Sequence, residues 1–184
     1  RPRPRAPNRG AILGAARRVA TREGAGALSL RAVAAEAGYA PASVYEYFRN
    51  RAEMVLALAA EDLGQVARLL RESGGTQAGA ARAMLDSLKG SGALPAAVAT
   101  LESGTAPSEA ERLFTGKLIA ALTALSEAAA RAPLNTRDDQ ADVVLLAASI
   151  VGLTVFARAG RLKALGFDEQ ELIARLDRRF TKGS

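Results

Sequence analysis

LRAVAAEAGYAPASVYEYFRNR, residues 30–51, is the stretch on which the reading of this chain turns. Val33, Ala34 and Ala37 recur at helical spacing and form a single apolar stripe near its start. Gly38 follows, and a glycine just past a helix supplies the left-handed conformation that stops it. Pro41 stands where a second helix begins, since proline is tolerated at a first helical position. Val44, Tyr45 and Phe48 give that second helix, about Pro41 to Phe48, its apolar side. Asn50 and Glu53 have capping-box spacing and open a further helix at Arg51. Two short helices joined by a tight turn make a helix-turn-helix unit, whose second helix fits the major groove of DNA.

The same stretch resembles the DNA-binding region of the TetR family of transcriptional regulators. Ser29, Val33-Ala34, Ala37-Gly38, Ser43-Val44-Tyr45, Tyr47-Phe48 and Arg51 carry the resemblance. Upstream, Arg9, Ile12-Leu13, Ala15-Ala16 and Gly24 fit the family's first helix, so the likeness covers roughly residues 9–55. Tyr39 stands where the family usually has a small aliphatic residue, Ala40 where it has Ser or Thr, and Arg51 where it has lysine. The resemblance implies an all-α fold. A three-helix helix-turn-helix domain would be joined by a long helix to a C-terminal domain for effector binding and dimerisation. It further implies a homodimer on a palindromic operator, acting as a repressor that a small apolar effector releases.

Composition narrows the chemistry independently. Among 184 residues, 49% are hydrophobic and only 4% aromatic, so the core is built from Ala, Leu and Val. Ala and Leu are strong helix formers. With no Cys and no His, disulfides, thiolate chemistry, His-based metal sites and Ser-His-Asp triads are excluded. No cofactor or metal is expected. The pairs Glu109/Glu111 and Asp138/Asp139 sit at expected helix starts and read as capping residues, not as an acid/base pair. An enzyme is not expected. No signal peptide is visible, and no apolar run is expected to reach the ~18 residues of a membrane span. The expectation is a cytoplasmic protein without a membrane partner.

Charge is distributed unevenly. Of the net +6, residues 1–51 hold ten Arg against three Glu, net +7, while residues 52–184 hold 15 Lys+Arg against 16 Asp+Glu. A basic module on a near-neutral body suits a phosphate backbone. The domains are accordingly expected at residues 1–51 and 52–184.

Within the basic module each candidate DNA contact has its own reason. Arg3 and Arg5 lie in an Arg/Pro arm that favours an extended form reaching phosphates or the minor groove. Asn8 caps a first helix, Arg9 to about Glu23, with Ile12, Ala16, Val19 and Ala20 inward. Ser29 caps the second helix and puts a hydroxyl beside unpaired amides, an end that attracts phosphate. Arg31 in that first turn opposes the helix dipole unless an anion lies in front of it. The third helix offers Ala40, Pro41, Ala42, Ser43, Tyr45 and Tyr47. It has no Asn, Gln or central Arg for bidentate base reading, which leaves thymine-methyl contacts by Pro41 or Ala42 and a hydroxyl contact by Ser43. Tyr39 and Tyr45 are candidate phosphate donors. Arg51, beside the next helix start, is expected to hold a phosphate.

The remainder reads as helices. The fourth runs from Arg51 to about Glu72 on a stripe of Leu56, Ala60, Leu63, Val66, Ala67 and Leu70, long enough to enter the second domain without a linker. Thr76 opens a helix through Met84 and Leu88 to Lys89, and a short helix covers Pro95 to Leu101. Ser108 and Glu111 form a capping box before a helix to about Arg131, carrying Phe114, Leu118, Ala121, Leu122, Leu125 and Ala129. Asp138 to Arg158 is apolar all round and so requires cover on every side, one side of it from a partner chain. Asp168 and Glu171 start a last helix to about Phe180. The helices at about 138–158 and 168–180 are expected to pair with their copies. The resemblance places an effector site among the second domain's helices, with Leu63, Met84, Leu88, Phe114, Leu118, Leu122, Ser149 and Leu153 as candidate lining. Thr115, Thr123, Ser149 and Thr154 are the few polar groups there, each readable as an ordinary satisfied helix residue. Two other functions fit portions of the pattern: a helical enzyme or small-molecule carrier with a vestigial basic domain, and a constitutive DNA-binding protein without effector.

Overall fold

A computed structural model describes residues 8–72, 92–101, 107–129 and 136–181. Among them are nine α-helices and no strand: α1 Arg9–Glu23, α2 Leu30–Ala37, α3 Pro41–Tyr45, α4 Arg51–Glu72, α5 Ala93–Val98, α6 Glu109–Ala129, α7 Arg137–Arg158, α8 Arg161–Ala164 and α9 Glu169–Thr181. The expected helix through Met84 and Leu88 lies outside the described residues, as do Arg3 and Arg5.

The chain divides into two compact units, Arg1–Glu61 with Gly90–Thr115, and Asp62–Lys89 with Gly116–Ser184. The boundary expected at 51/52 falls at the first residue of α4. The two units divide inside α4, between Glu61 and Asp62, and the first also takes in α5 and the start of α6.

In the first unit, local signals set the helix ends. Asn8 accepts a 2.7 Å hydrogen bond from the Ala11 amide and starts α1. A 3-10 turn, Ala25–Ala27, joins α1 to the cap of α2. Ser29 accepts from Ala32 N–H at 3.1 Å and starts α2. Gly38, at φ 70° and ψ 30°, ends it. There Tyr39 N–H bonds Ala34 O at 2.9 Å and Gly38 N–H bonds Ala35 O at 3.2 Å, the paired closure of a Schellman end. α1 packs on α2, α2 on α3, and α5 lies against the 3-10 turn. The core is Ile12, Leu13, Ala16, Val19, Val33, Val44 and Phe48, all within 1% of complete burial.

Three boundaries differ from expectation. α3 ends at Tyr45 rather than Phe48, because the Val44 carbonyl takes both Tyr47 N–H (3.1 Å) and Phe48 N–H (3.0 Å) in a closing turn. That turn drives Phe48 into the core. α5 spans Ala93–Val98 rather than Pro95–Leu101, with Pro95 in the first turn, where its missing amide costs no helical bond. α7 starts one residue early, because Thr136 and Asp139 form a complete capping box.

In the second unit, α7 packs with α8 and α9. Val143, Leu146, Ala147, Ile150 and Thr154 face inward as one helical stripe. The opposite side carries Val144, Leu145, Val155 and Phe156, exposed by 54, 56, 42 and 48%. By length and hydropathy this 22-residue helix does qualify for a membrane span, which corrects the expectation that no run is long enough. Only 28% of its apolar window is buried in one chain.

Candidate nucleic-acid interface

The geometry of α2 and α3 follows from Gly38 and two buried anchors. Val44 (0% exposed) and Phe48 (1%) fix α3 from beneath. Ala40, Pro41, Ala42 and Tyr45 then stand exposed, Tyr47 is 37% exposed, and Tyr39 and Ser43 are half-buried. Ser29 and Arg31 are exposed at the start of α2, where the Ser29 side chain already holds one of the amides of the first turn. The structure thus brings Ser29, Arg31, Tyr39, Ala40, Pro41, Ala42, Ser43, Tyr45 and Tyr47 into one compact unit as largely solvent-facing groups.

The arginines are less available than their number suggests. Arg18 Nε and Arg22 Nη1 donate to the two oxygens of Glu36 at 2.7 and 3.1 Å, bracing α1 against α2. Those bonds, Arg18's first, hold the Glu36 carboxyl below the ordinary glutamate range. Arg17 reaches Glu61 of α4 at 3.4 Å. Arg9 lies over the Phe48 ring, 5.4 Å from its centroid. Arg49 pairs with Glu53 at 2.9 Å, and Glu53 also accepts the Arg49 amide at 2.7 Å. The Arg49 side chain is the main cause that lowers the Glu53 carboxyl, even against partial burial. Asn50 accepts Glu53 N–H at 2.9 Å, so the capping pair is present with its return bond shifted by one residue. Among the described arginines of residues 8–51, Arg31 alone has neither ion pair, carbonyl partner nor ring beneath it.

Arg51, expected to hold a phosphate, has its guanidinium engaged within the protein. Its half-buried head donates through Nε to Leu28 O and through Nη2 to Ala25 O, both at 2.9 Å. Its place beside a helix start is what suggests a phosphate contact. Spacing carries no sign of two carbonyls that lie 23 and 26 residues upstream. The role of Glu36 is hidden from the sequence for the same reason, whereas the four-residue spacing of Arg49 and Glu53 is legible.

The candidate effector residues separate. Leu63 is fully buried in the second unit, where Leu118, Leu122, Ser149 and Leu153 are half-buried, while Phe114, 1% exposed, belongs to the first. Met84 and Leu88 lie outside the described residues. Ser149, Thr123 and Thr154 each donate to the carbonyl four residues back, at 2.8, 3.0 and 2.8 Å. Their hydroxyls are therefore satisfied within their own helices. Among the described residues no cluster of three or more acidic, His or Cys groups is placed to hold a metal.

Comparison with known proteins agrees with this geometry. Residues 12–58 match the model of the bacterial regulatory proteins of the tetR family. No curated protein matches the chain. Among solved structures, a TetR transcriptional regulator from Rhodococcus sp. RHA1 is similar at 20% identity and TM-score 0.69, over 95% of each chain. BioQ of Mycobacterium smegmatis is similar at 21% identity and TM-score 0.68, over 96% of this chain and 97% of that one. FadR of Bacillus subtilis, solved in complex with stearoyl-CoA, is similar at 18% identity and TM-score 0.63, over 96% of this chain and all of that one. At such identities the likeness is one of fold. Residues 12–58, which hold the helix-turn-helix, are thus similar to the DNA-binding region of the tetR family of bacterial regulatory proteins, and the chain as a whole shares the fold of these regulators.

Proposed function

We propose that the chain is a homodimeric repressor that binds a palindromic operator and is released by an apolar small molecule in its second unit. One observation carries the DNA reading: sealed Val44 and Phe48 hold the Ala40–Ser43 edge and Tyr45 outward, with unpaired Arg31 on the adjoining helix. Base reading falls to Pro41, Ala42 and Ser43 through methyl and hydroxyl contacts, and positioning to Ser29, Arg31, Tyr39 and Tyr45 on phosphates. The dimer is supported by the outward stripe of α7, which pairs with its copy together with α9. An isologous contact covers the same patch on both chains.

The effector reading draws on two supports. The hydroxyls of Thr123, Ser149 and Thr154 are already bonded within their helices, so the second unit offers a guest mainly Leu, Val and Ala surface. FadR of Bacillus subtilis, of like fold, was solved with stearoyl-CoA. Stearoyl-CoA is therefore the first probe.

The experiment selects duplexes from random sequence with the purified protein and measures affinity against salt, with and without stearoyl-CoA. We expect a selected inverted repeat, a steep salt slope, and weaker DNA binding with the acyl-CoA by about 5–150-fold. Failure to select any sequence sinks the operator reading. Unchanged binding with stearoyl-CoA removes that effector class and leaves the DNA reading standing.

A further inference from the structure

Arg51 holds together two pieces of chain that a DNA-binding surface needs in fixed register. Its guanidinium presents adjacent N–H groups in a rigid planar fork. One tine bonds Leu28 O and another bonds Ala25 O, each at 2.9 Å. Ala25 O also closes the 3-10 turn by accepting Leu28 N–H at 3.3 Å. Leu28 O, in contrast, receives no backbone amide among the described residues, and the Leu28 side chain is 2% exposed. Arg51 therefore satisfies a carbonyl that the helix cannot use, because the first carbonyl α2 uses is that of its cap, Ser29, one residue later.

The consequence follows from peptide planarity. The Leu28 carbonyl and the Ser29 amide are two ends of one rigid group. Orienting that carbonyl orients the chain as it enters Ser29, the cap of α2, and with it the first turn that carries Arg31. Arg51 is itself the first residue of α4. One side chain thus ties the start of α4 to the start of α2, all within the first unit.

We propose that Arg51 is a positioning residue for DNA binding: it holds the α2 N-terminus, where Ser29 and Arg31 meet the phosphate backbone, in register with α4, and makes no phosphate contact itself. This rests on the operator reading above. Binding of the wild-type protein to a selected duplex tests that reading separately and is the control here.

Arg51→Lys and Arg51→Ala distinguish positioning from direct contact. Lysine keeps the charge and binds phosphate well as a point charge, but it lacks the planar fork. If Arg51 positions α2, both variants lose affinity alike, by roughly tenfold, and share one salt slope. If Arg51 touches phosphate, Arg51→Lys keeps wild-type affinity and slope, while Arg51→Ala alone loses about 0.9 of slope per half-site. That second pattern overturns the proposal. A double-mutant cycle separates positioning from a general loss of stability. In an Arg31→Ala background, Arg51→Lys should cost clearly less than in the wild type, because the contact it places is already gone. Full additivity overturns the proposal as well.

If neither variant folds, the wild-type Arg51 Nε–H resonance decides. A slowly exchanging signal that stays in place when the selected duplex is added supports the clamp. A signal that shifts or loses protection on DNA overturns it.

Discussion

The helix-turn-helix and α7 use apolar side chains in opposite ways. α3 has five residues, and its turn drives Val44 and Phe48 inward until both are sealed from water. Its outer side is left to Pro41, Ala42 and Tyr45. α7 has 22 residues and an inner stripe just as apolar, yet Val144, Leu145, Val155 and Phe156 remain outside. Burying one such side chain is worth roughly 1.5–3 kcal/mol, so four on one helix are costly to leave wet. The first region is finished within one chain and leaves outward small side chains, a tyrosine and the neighbouring Arg31, the face proposed above to meet DNA. The second leaves large apolar side chains uncovered within one chain, which is what the proposed second copy would cover.

The sharpest way to break that contrast is to charge the outer side of α7. A Cβ built on Gly152 meets no atom within 4 Å, so a single chain accommodates a side chain there. Gly152→Arg should therefore leave the monomer folded and remove the dimer. Sedimentation should change from two chains to one. Operator affinity should fall by about 10²-fold or more, because avidity between half-sites is lost. A soluble dimer of unchanged mass would show that this side of α7 is not the dimer seam.

The second test acts on the turn of the helix-turn-helix. Gly38 and Gly26 both have open space at the Cβ position, but only Gly38 has a positive φ, +70°. Gly38→Ala should cost about 1–2 kcal/mol from backbone strain, and Gly26→Ala should be neutral or slightly stabilising, by up to ~1 kcal/mol. Thermal melts of the two variants against wild type check this. Equal melting temperatures for both would mean that the turn does not depend on a left-handed residue.

The same two regions explain how much was legible. α1, α2, the start of α4, α6 and α9 could be read because their ends are written locally, in Asn8, Ser29, Gly38, Asn50–Glu53, Ser108–Glu111 and Asp168. The edge of α3 was legible in part: Val44 and Phe48 turn inward as read, whereas Tyr45, read on the same apolar side, is 49% exposed. The employment of the arginines was not. Arg18, Arg22 and Arg51 find partners 14 to 26 residues away, across helix packing that no spacing rule encodes. Net charge therefore overstated how many of the described arginines stand without a partner. α7 illustrates the converse. Its apolar character was plain, but which side would be covered depended on α8 and α9, and α8 itself, after Gly160, has no clear local signature.

Arg31 sharpens the first half of the contrast. It is exposed and unpaired, whereas Arg18, also exposed, is held by Glu36. Arg31→Ala should weaken binding to all duplexes about equally and lower the salt slope by about 0.9 per half-site. Arg18→Ala should leave the slope nearly unchanged. If the two variants gave the same loss of slope, ion pairing with Glu36 would not be withholding Arg18 from DNA.

The smallest effect expected concerns Glu36 itself. Its carboxyl is held below the ordinary range first by the Arg18 hydrogen bond and then by Arg22. A group whose folded value is depressed stabilises the fold above its unfolded value, about 4.3 for glutamate, and loses that contribution as pH falls through the folded value. The loss should therefore appear as the solution is acidified below about pH 5 and be absent between about pH 6 and 8. Because the two arginine side chains are 57 and 56% exposed, salt should shrink the effect. Glu36→Gln isolates it. Its melting temperature should lie slightly below wild type at pH 7 in low salt, and the two should converge as the pH falls from the unfolded value through the lower folded one. Convergence at high salt should follow the same course. A difference that persists unchanged from pH 7 to pH 3 would mean that Glu36 braces α1 against α2 through its packing and not through its charge.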